Sequence, residues 1–142
     1  MSLPQFKLLR PRTLDDALGM LHRHHGDIQI CAGGTDLVPS MKQRLFTPKW
    51  VMDIRGIDEL SRIRVVPGLG IEIGAMVTLS AIEDSGFLAQ HFPVLREAVM
   101  TVASPLLRNM GTIGGNICLD TDRKSTRLNS SHIQKSRMPS SA

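Results

Sequence analysis

The stretch Asp27–Leu45, DIQICAGGTDLVPSMKQRL, decides the fold. An apolar run through Ile28, Ile30 and Cys31 enters two glycines and leaves through Thr35 and Asp36 into a segment of helical character. It reads as strand, glycine loop, helix. Gly33 and Gly34 permit positive φ and leave no side chain between the backbone and whatever approaches it. Successive N–H groups in such a loop can converge on an anion, aided by the helix N-terminus behind them, and Thr35 adds a hydroxyl donor. An ordinary tight turn with Asp36 as helix cap explains the same residues. The loop is not a Walker loop, because no Gly-Lys-Ser/Thr follows, and GxGxxG is absent.

Upstream, FKLLRP (6–11) predicts a short strand closed by Pro11. Thr13 caps a helix with Asp16 in the capping-box position. Leu14, Ala17, Leu18 and Leu21 make one apolar face, and Gly26 ends the helix. Downstream, KWVMDI (49–54) is a buried strand candidate, so residues 6–54 form a β-α-β-α-β layout with a small parallel or mixed sheet. After Gly56 the texture changes. SRIRVV and GIEIGA alternate around PGLG as a hairpin, with Ile63 and Val65 on one face and Ile71 and Ile73 on one face. LSAIEDSGFLAQH predicts helix in broken pieces, and a longer helix runs from Pro93 through Ala103. GTIGGNICL (111–119) predicts a glycine-opened strand with Cys118 buried in it. The class is α+β with an α/β-like N-terminal part. The domains are 1–57, then 58–121 as the start of an incomplete second subdomain.

Thr112-Ile113-Gly114-Gly115-Asn116 repeats the logic of the first loop: a double glycine at the boundary of regular structure, flanked by small hydrogen-bonding side chains. Two such loops suggest one elongated anion, and a pyrophosphate is the natural candidate; two unrelated turns are the alternative. His22–His25, HRHH, offers a helical pair to a metal, but no third ligand lies nearby and histidines suit a helix C-terminus. No metal ligand is assigned. Residues 1–121 show no general acid, base or nucleophile, so no catalytic residue is assigned either.

The 142-residue chain carries a net charge of +4. Arg123, Lys124, Arg127, Lys135 and Arg137 against Asp122 account for all of it, and residues 1–121 are neutral. The charge therefore gives no reason to expect a nucleic-acid partner. Residues 122–142 read as a non-native, disordered tail: DRKSTRLNSSH and SRMPSSA are what a short-read sequencing adapter encodes in frame, and their composition buries little. Cys31 and Cys118 form no CxxC. No apolar run approaches the ~18–20 residues of a membrane span and no signal peptide precedes residue 20, so a cytoplasmic setting is expected.

AGGTDLVPSMKQRL together with RNMGTIGGNICLDT resembles the FAD-binding subunit or domain of the molybdenum-hydroxylase family, which includes the xanthine and carbon monoxide dehydrogenases and 4-hydroxybenzoyl-CoA reductase. The resemblance runs from about Phe6 to Thr121, and NICLDT brings it nearest the 4-hydroxybenzoyl-CoA reductase β subunit. It implies a two-subdomain FAD-binding fold of the vanillyl-alcohol-oxidase/PCMH type, here with the second subdomain truncated and inactive alone. It implies non-covalent FAD whose pyrophosphate and adjoining ribose are held by Ala32, Gly33, Gly34, Thr35, Asp36 and Leu37, then by Thr112, Gly114, Gly115 and Asn116. Ser104 and Asp120 are further flavin contacts. Implied partners are molybdenum-cofactor and iron–sulfur subunits of a hetero-oligomer, with NAD or ferredoxin as carrier. The implied function is an electron-transfer flavoprotein component of an oxidoreductase. Two alternatives remain: a non-redox nucleotide- or phosphate-binding module, and a reductase of the same flavin superfamily acting on a cell-wall precursor.

Overall fold

The computed structural model describes residues 2–119. Asp120, Thr121 and the expected tail at 122–142 lie outside the described residues. Three strands, β1 (Lys7–Leu9), β2 (Ile28–Cys31) and β3 (Trp50–Asp53), form a parallel sheet in the order β1-β3-β2. β3 is last in sequence but central in space, pairing Trp50 with both Lys7 and Ile28, and Val51, Met52 and Asp53 are buried. A strand covered on both sides in a parallel sheet reads as a continuous apolar run, which is the pattern of WVMD up to its final carboxylate.

Helix α1 (Leu14–Arg23) links β1 to β2 and starts as the sequence predicts: Thr13 is extended and its hydroxyl accepts from the Asp16 amide at 3.1 Å. Ala17 from α1, Met52 from β3 and Ile57 form one small core, packed by Leu9, Leu21, Ile28 and Leu60. The histidine run at the end of α1 has a packing role, because His24 lies on the Trp50 ring with centroids 4.0 Å apart. Helix α2 (Leu37–Lys42) links β2 to β3 and buries Met41.

After two 3-10 turns (Ile54–Gly56 and Asp58–Ser61), β4 (Ile63–Val66) and β5 (Gly70–Ile73) make the predicted antiparallel hairpin, with Ile63 opposite Ile73 and Val65 opposite Ile71. Five short helices follow: α3 (Leu79–Asp84), α4 (Gly86–His91), α5 (Pro93–Met100), α6 (Pro105–Arg108) and α7 (Ile113–Ile117). Val77, Leu79, Ile82, Leu88 and Val99 form the second core beneath them.

Three sequence expectations need correction here. The helix from Pro93 ends at Met100, not Ala103; Ala103 takes a φ of 52°, outside the helical region, and Ser104 then opens α6. The segment 111–119 is not a strand. Thr112 contributes one isolated bridge to Thr78, and residues 113–117 coil into α7. Two glycines in five residues weaken a helix by about 1 kcal/mol each, which hides it from a propensity reading. A local cap and a tertiary contact decide instead: the Thr112 hydroxyl accepts from the Gly115 amide at 3.1 Å, and the Gly114 amide donates to the Ala75 carbonyl at 2.9 Å. Cys118, expected as a buried strand residue, is the exposed C-cap of α7.

Candidate functional site: two glycine segments in contact

All three sheet strands run the same way, so Arg10, Ala32 and Ile54, which follow them, emerge at one edge. Ligands of open parallel sheets bind beyond this carboxyl edge. The glycine loop of residues 32–36 leaves β2 there.

The second glycine segment packs directly on the first. Gly33 has no room for a side chain: a Cβ there would collide with the Met110 carbonyl oxygen, 2.8 Å from its carbon and 3.2 Å from the Gly111 Cα. A Cβ built on Gly111 would lie 3.8 Å from Thr35 Oγ1, and one on Gly115 would lie 3.8 Å from the Ala32 Cβ. Residues some eighty positions apart in sequence thus form one surface. Gly34 serves differently. Its neighbours sit at ordinary distances, but its φ of 75° is a conformation side chains disfavour.

The two segments carry unequal donor sets. In the first, the amides of Gly33, Gly34, Thr35, Asp36 and Leu37 donate to no acceptor among the described residues. Asp36 occupies the N-cap position of α2 but is exposed and makes no side-chain cap bond. In the second, Gly111, Ile113, Gly114, Gly115 and Asn116 all donate within the protein, to Leu107, Val77, Ala75 and twice to Thr112. Thr112 is buried and its hydroxyl caps α7. A Cβ on Gly114 would fall 2.6 Å from that of Ala75. The second segment is therefore mainly a brace that seats the first, and it offers outward the exposed Asn116 side chain and the bare face of Gly115. Ser104 stands apart as the cap of α6, its hydroxyl accepting from the Leu107 amide at 3.3 Å. Asp120 is outside the described residues.

Five consecutive N–H groups without an acceptor at a helix start, with Gly33 kept bare by the Met110 backbone, have the chemistry that a diphosphate requires of its donors. Sequence reasoning missed two buried charges nearby. Asp53, at the end of β3, accepts from the Arg55 guanidinium at 2.9 and 2.7 Å and from its amide at 3.1 Å. These bonds hold the Asp53 carboxyl below its usual range, against the effect of burial. Arg108 is buried, donating to Glu83 at 3.0 Å and to the carbonyls of Met100, Val102 and Ala103. It fixes the turn that carries Met110 towards Gly33. A carboxylate ending an apolar strand and followed by IRG was the available signal for the first; an arginine two residues before Met110 gave none for the second.

The family model described as "FAD binding domain in molybdopterin dehydrogenase" matches residues 4–128. The carbon monoxide dehydrogenase medium chain of Afipia carboxidovorans is 43% identical over 111 residues, covering 78% of this chain and 38% of its own. The nicotinate dehydrogenase FAD-subunit of Eubacterium barkeri is 42% identical over 117 residues, covering 81% and 39%. In structure, reconstituted CO dehydrogenase from Oligotropha carboxidovorans superposes with a TM-score of 0.78 at 42% identity, over 82% of this chain and 40% of that one. The chain thus spans about two fifths of the relatives it matches. By its sequence, its fold and its paired glycine segments, the chain belongs to the family of FAD-binding domains of molybdopterin dehydrogenases.

Proposed function

We propose that this chain supplies the pyrophosphate cradle of a non-covalently bound FAD, in a flavoprotein component of a molybdenum-containing hydroxylase or dehydrogenase. The observation that carries the reading is the contact of Gly33 with Met110 and Gly111, which joins both glycine segments into one surface while leaving five amides unspent. Those amides, at Gly33, Gly34, Thr35, Asp36 and Leu37, would hold the phosphates, and Ala32 forms the floor against Gly115. The exposed carboxylate of Asp36 accepts rather than donates, so it suits a ribose hydroxyl, as does the Asn116 amide. Thr112 and Gly114 position these groups from behind.

When bound, FAD supplies the redox chemistry, passing electrons between one partner and another. The protein's part is placement. Backbone donors fixed by packing need no rearrangement when an anion arrives, and glycine lets the chain approach it closely. In such an assembly, molybdenum-cofactor and iron–sulfur subunits would sit beside this one, with NAD or ferredoxin as outside carrier, in the cytoplasm. Among the described residues no helix is long and apolar enough to cross a membrane. Two separate cores, one of Ala17, Met52 and Ile57 and one of Val77, Leu79, Ile82, Leu88 and Val99, support a division near residue 57 into 1–57 and 58–121, with Leu60 packing back on the first. Met110, whose backbone packs on Gly33, stands exposed, an apolar surface suited to a further wall of a flavin pocket.

The test is retention of flavin by the chain expressed as part of a protein of its relatives' length. A yellow preparation with one FAD per chain supports the reading. A colourless protein that takes up no added FAD removes it.

A further inference from the structure

The carboxyl edge of the sheet also carries a concentration of positive charge. Arg10, Pro11, Arg12, Asp53, Arg55 and Gly56 line an open cleft of about 340 Å³. Asp53 is the single carboxylate in that lining, and it is committed to Arg55 through paired hydrogen bonds. Arg10 reaches the same carboxylate only at 3.9 Å, with most of its side chain exposed. Arg12 makes no ion pair or hydrogen bond among the described residues. Its Cδ and Nε would lie 3.6 and 4.0 Å from a Cβ on Gly56, so the missing side chain there gives Arg12 its place along the cleft.

One arginine is enough to neutralise Asp53. The other two leave the cleft with two guanidinium charges and no partner to match them. We infer that this cleft binds a phosphate group, held by Arg10 and Arg12 over the fixed Asp53–Arg55 pair. Planar guanidinium forks match phosphate oxygens in pairs and are the usual means of its recognition. The volume falls in the ~300–1,000 Å³ range of small-molecule sites, enough for a phosphate with the group that carries it. Asp53 keeps Arg55 pinned, so Arg10 and Arg12 are the donors left to move onto the anion. The cleft differs from the neighbouring glycine cradle in its donors, side-chain guanidinium groups instead of backbone amides, and the two adjoin through Cys31, which pairs with Asp53.

The experiment follows the arginine Nε–H signals of the full 142-residue chain by NMR as inorganic phosphate is added, with chloride at equal ionic strength as the comparison. Parallel titrations use adenosine 5′-monophosphate and adenosine. Saturable shifts of Arg10 and Arg12 with phosphate and with the monophosphate, but not with adenosine or chloride, are expected. Arg12→Gln should weaken that binding at least tenfold, Arg12→Lys should recover part of it, and the backbone amides of Gly33–Leu37 should titrate unchanged with either variant. Equal shifts with chloride, or undiminished phosphate affinity in Arg12→Gln, would overturn the inference. Shifts with the monophosphate alone would overturn it for free phosphate and assign the site to a nucleotide.

Discussion

Gly33→Ala is the substitution that the packing of the two glycine segments judges most sharply. The added Cβ would meet backbone rather than a flexible side chain: the Met110 carbonyl and the Gly111 Cα. Ordinary Cβ contacts begin near 3.4 Å, so the Met110 carbonyl carbon, at 2.8 Å, must retreat by about 0.6 Å, and its oxygen by more. Met110 cannot yield freely, because its amide donates to Leu107 and Arg108 is tied to Glu83 and three carbonyls. Overpacking of this kind costs about 1–3 kcal/mol, and a backbone clash belongs at the upper end. At a urea m-value of ~1–3 kcal/mol/M, a loss of ~3 kcal/mol moves the unfolding midpoint down by ~1–3 M. Gly34→Ala is the control. Its Cβ has room, and only the positive φ is penalised, by ~1–2 kcal/mol. Urea titration followed by Trp50 fluorescence measures both. An unchanged midpoint in Gly33→Ala, or a larger loss in Gly34→Ala, would refute the contact between the segments.

Other expectations concern the buried charges and the thiols. Asp53→Asn should lose ~1 kcal/mol at neutral pH, a modest figure because Arg55 is largely exposed. The Asp53 carboxyl is held below its ordinary value by Arg55. Its stabilisation is therefore fully present above pH ~3.9 and lost as pH falls through the depressed value, so the two proteins should converge in stability in acid. A constant difference down to the lowest pH at which both fold would contradict the assignment. Arg108→Leu should cost ~3–5 kcal/mol in thermal or urea unfolding, because it strands the Glu83 carboxylate and frees the turn before Met110; a loss under 1 kcal/mol would show that the buried guanidinium is dispensable. Cys118 is exposed, whereas burial and the Asp53 charge push the Cys31 thiol up. Mass spectrometry after brief alkylation at pH 8 should find Cys118 modified first, and the reverse order would place Cys31 outside the loop described.

What was legible in the sequence is what local pattern encodes. Thr13 and Asp16 mark the start of α1, the paired alternation around PGLG gives the hairpin, and WVMD reads as the buried strand it is. The central position of β3 was not legible, because periodicity carries no information on spatial order. At residues 111–119 the local signal misled. Gly114 and Gly115 argue against helix, yet the chain coils because Gly114 must pass against Ala75 and Thr112 can cap the turn. The glycines of both segments were read as making room for a ligand. For Gly33 and Gly114 the room is first for the protein's own backbone. No pattern of residue types distinguishes these two uses; only the neighbour across the contact does. The Arg10, Arg12 and Asp53 cleft was invisible for the same reason, being assembled from the ends of two strands forty residues apart.

The central claim is that the first glycine segment donates to a diphosphate while the second braces it. Amide NMR of the 142-residue chain, titrated with FAD and separately with adenosine 5′-diphosphate, tests it most directly, since weak binding suffices. The account predicts that the amides of Gly33 to Leu37 shift with both ligands. It also predicts that those of Ile113, Gly114 and Gly115, already bonded to Val77, Ala75 and Thr112, exchange slowly with solvent both with and without ligand. Silence at residues 33–37 under saturating FAD, or release of the Gly114 and Gly115 amides to the ligand, would contradict it.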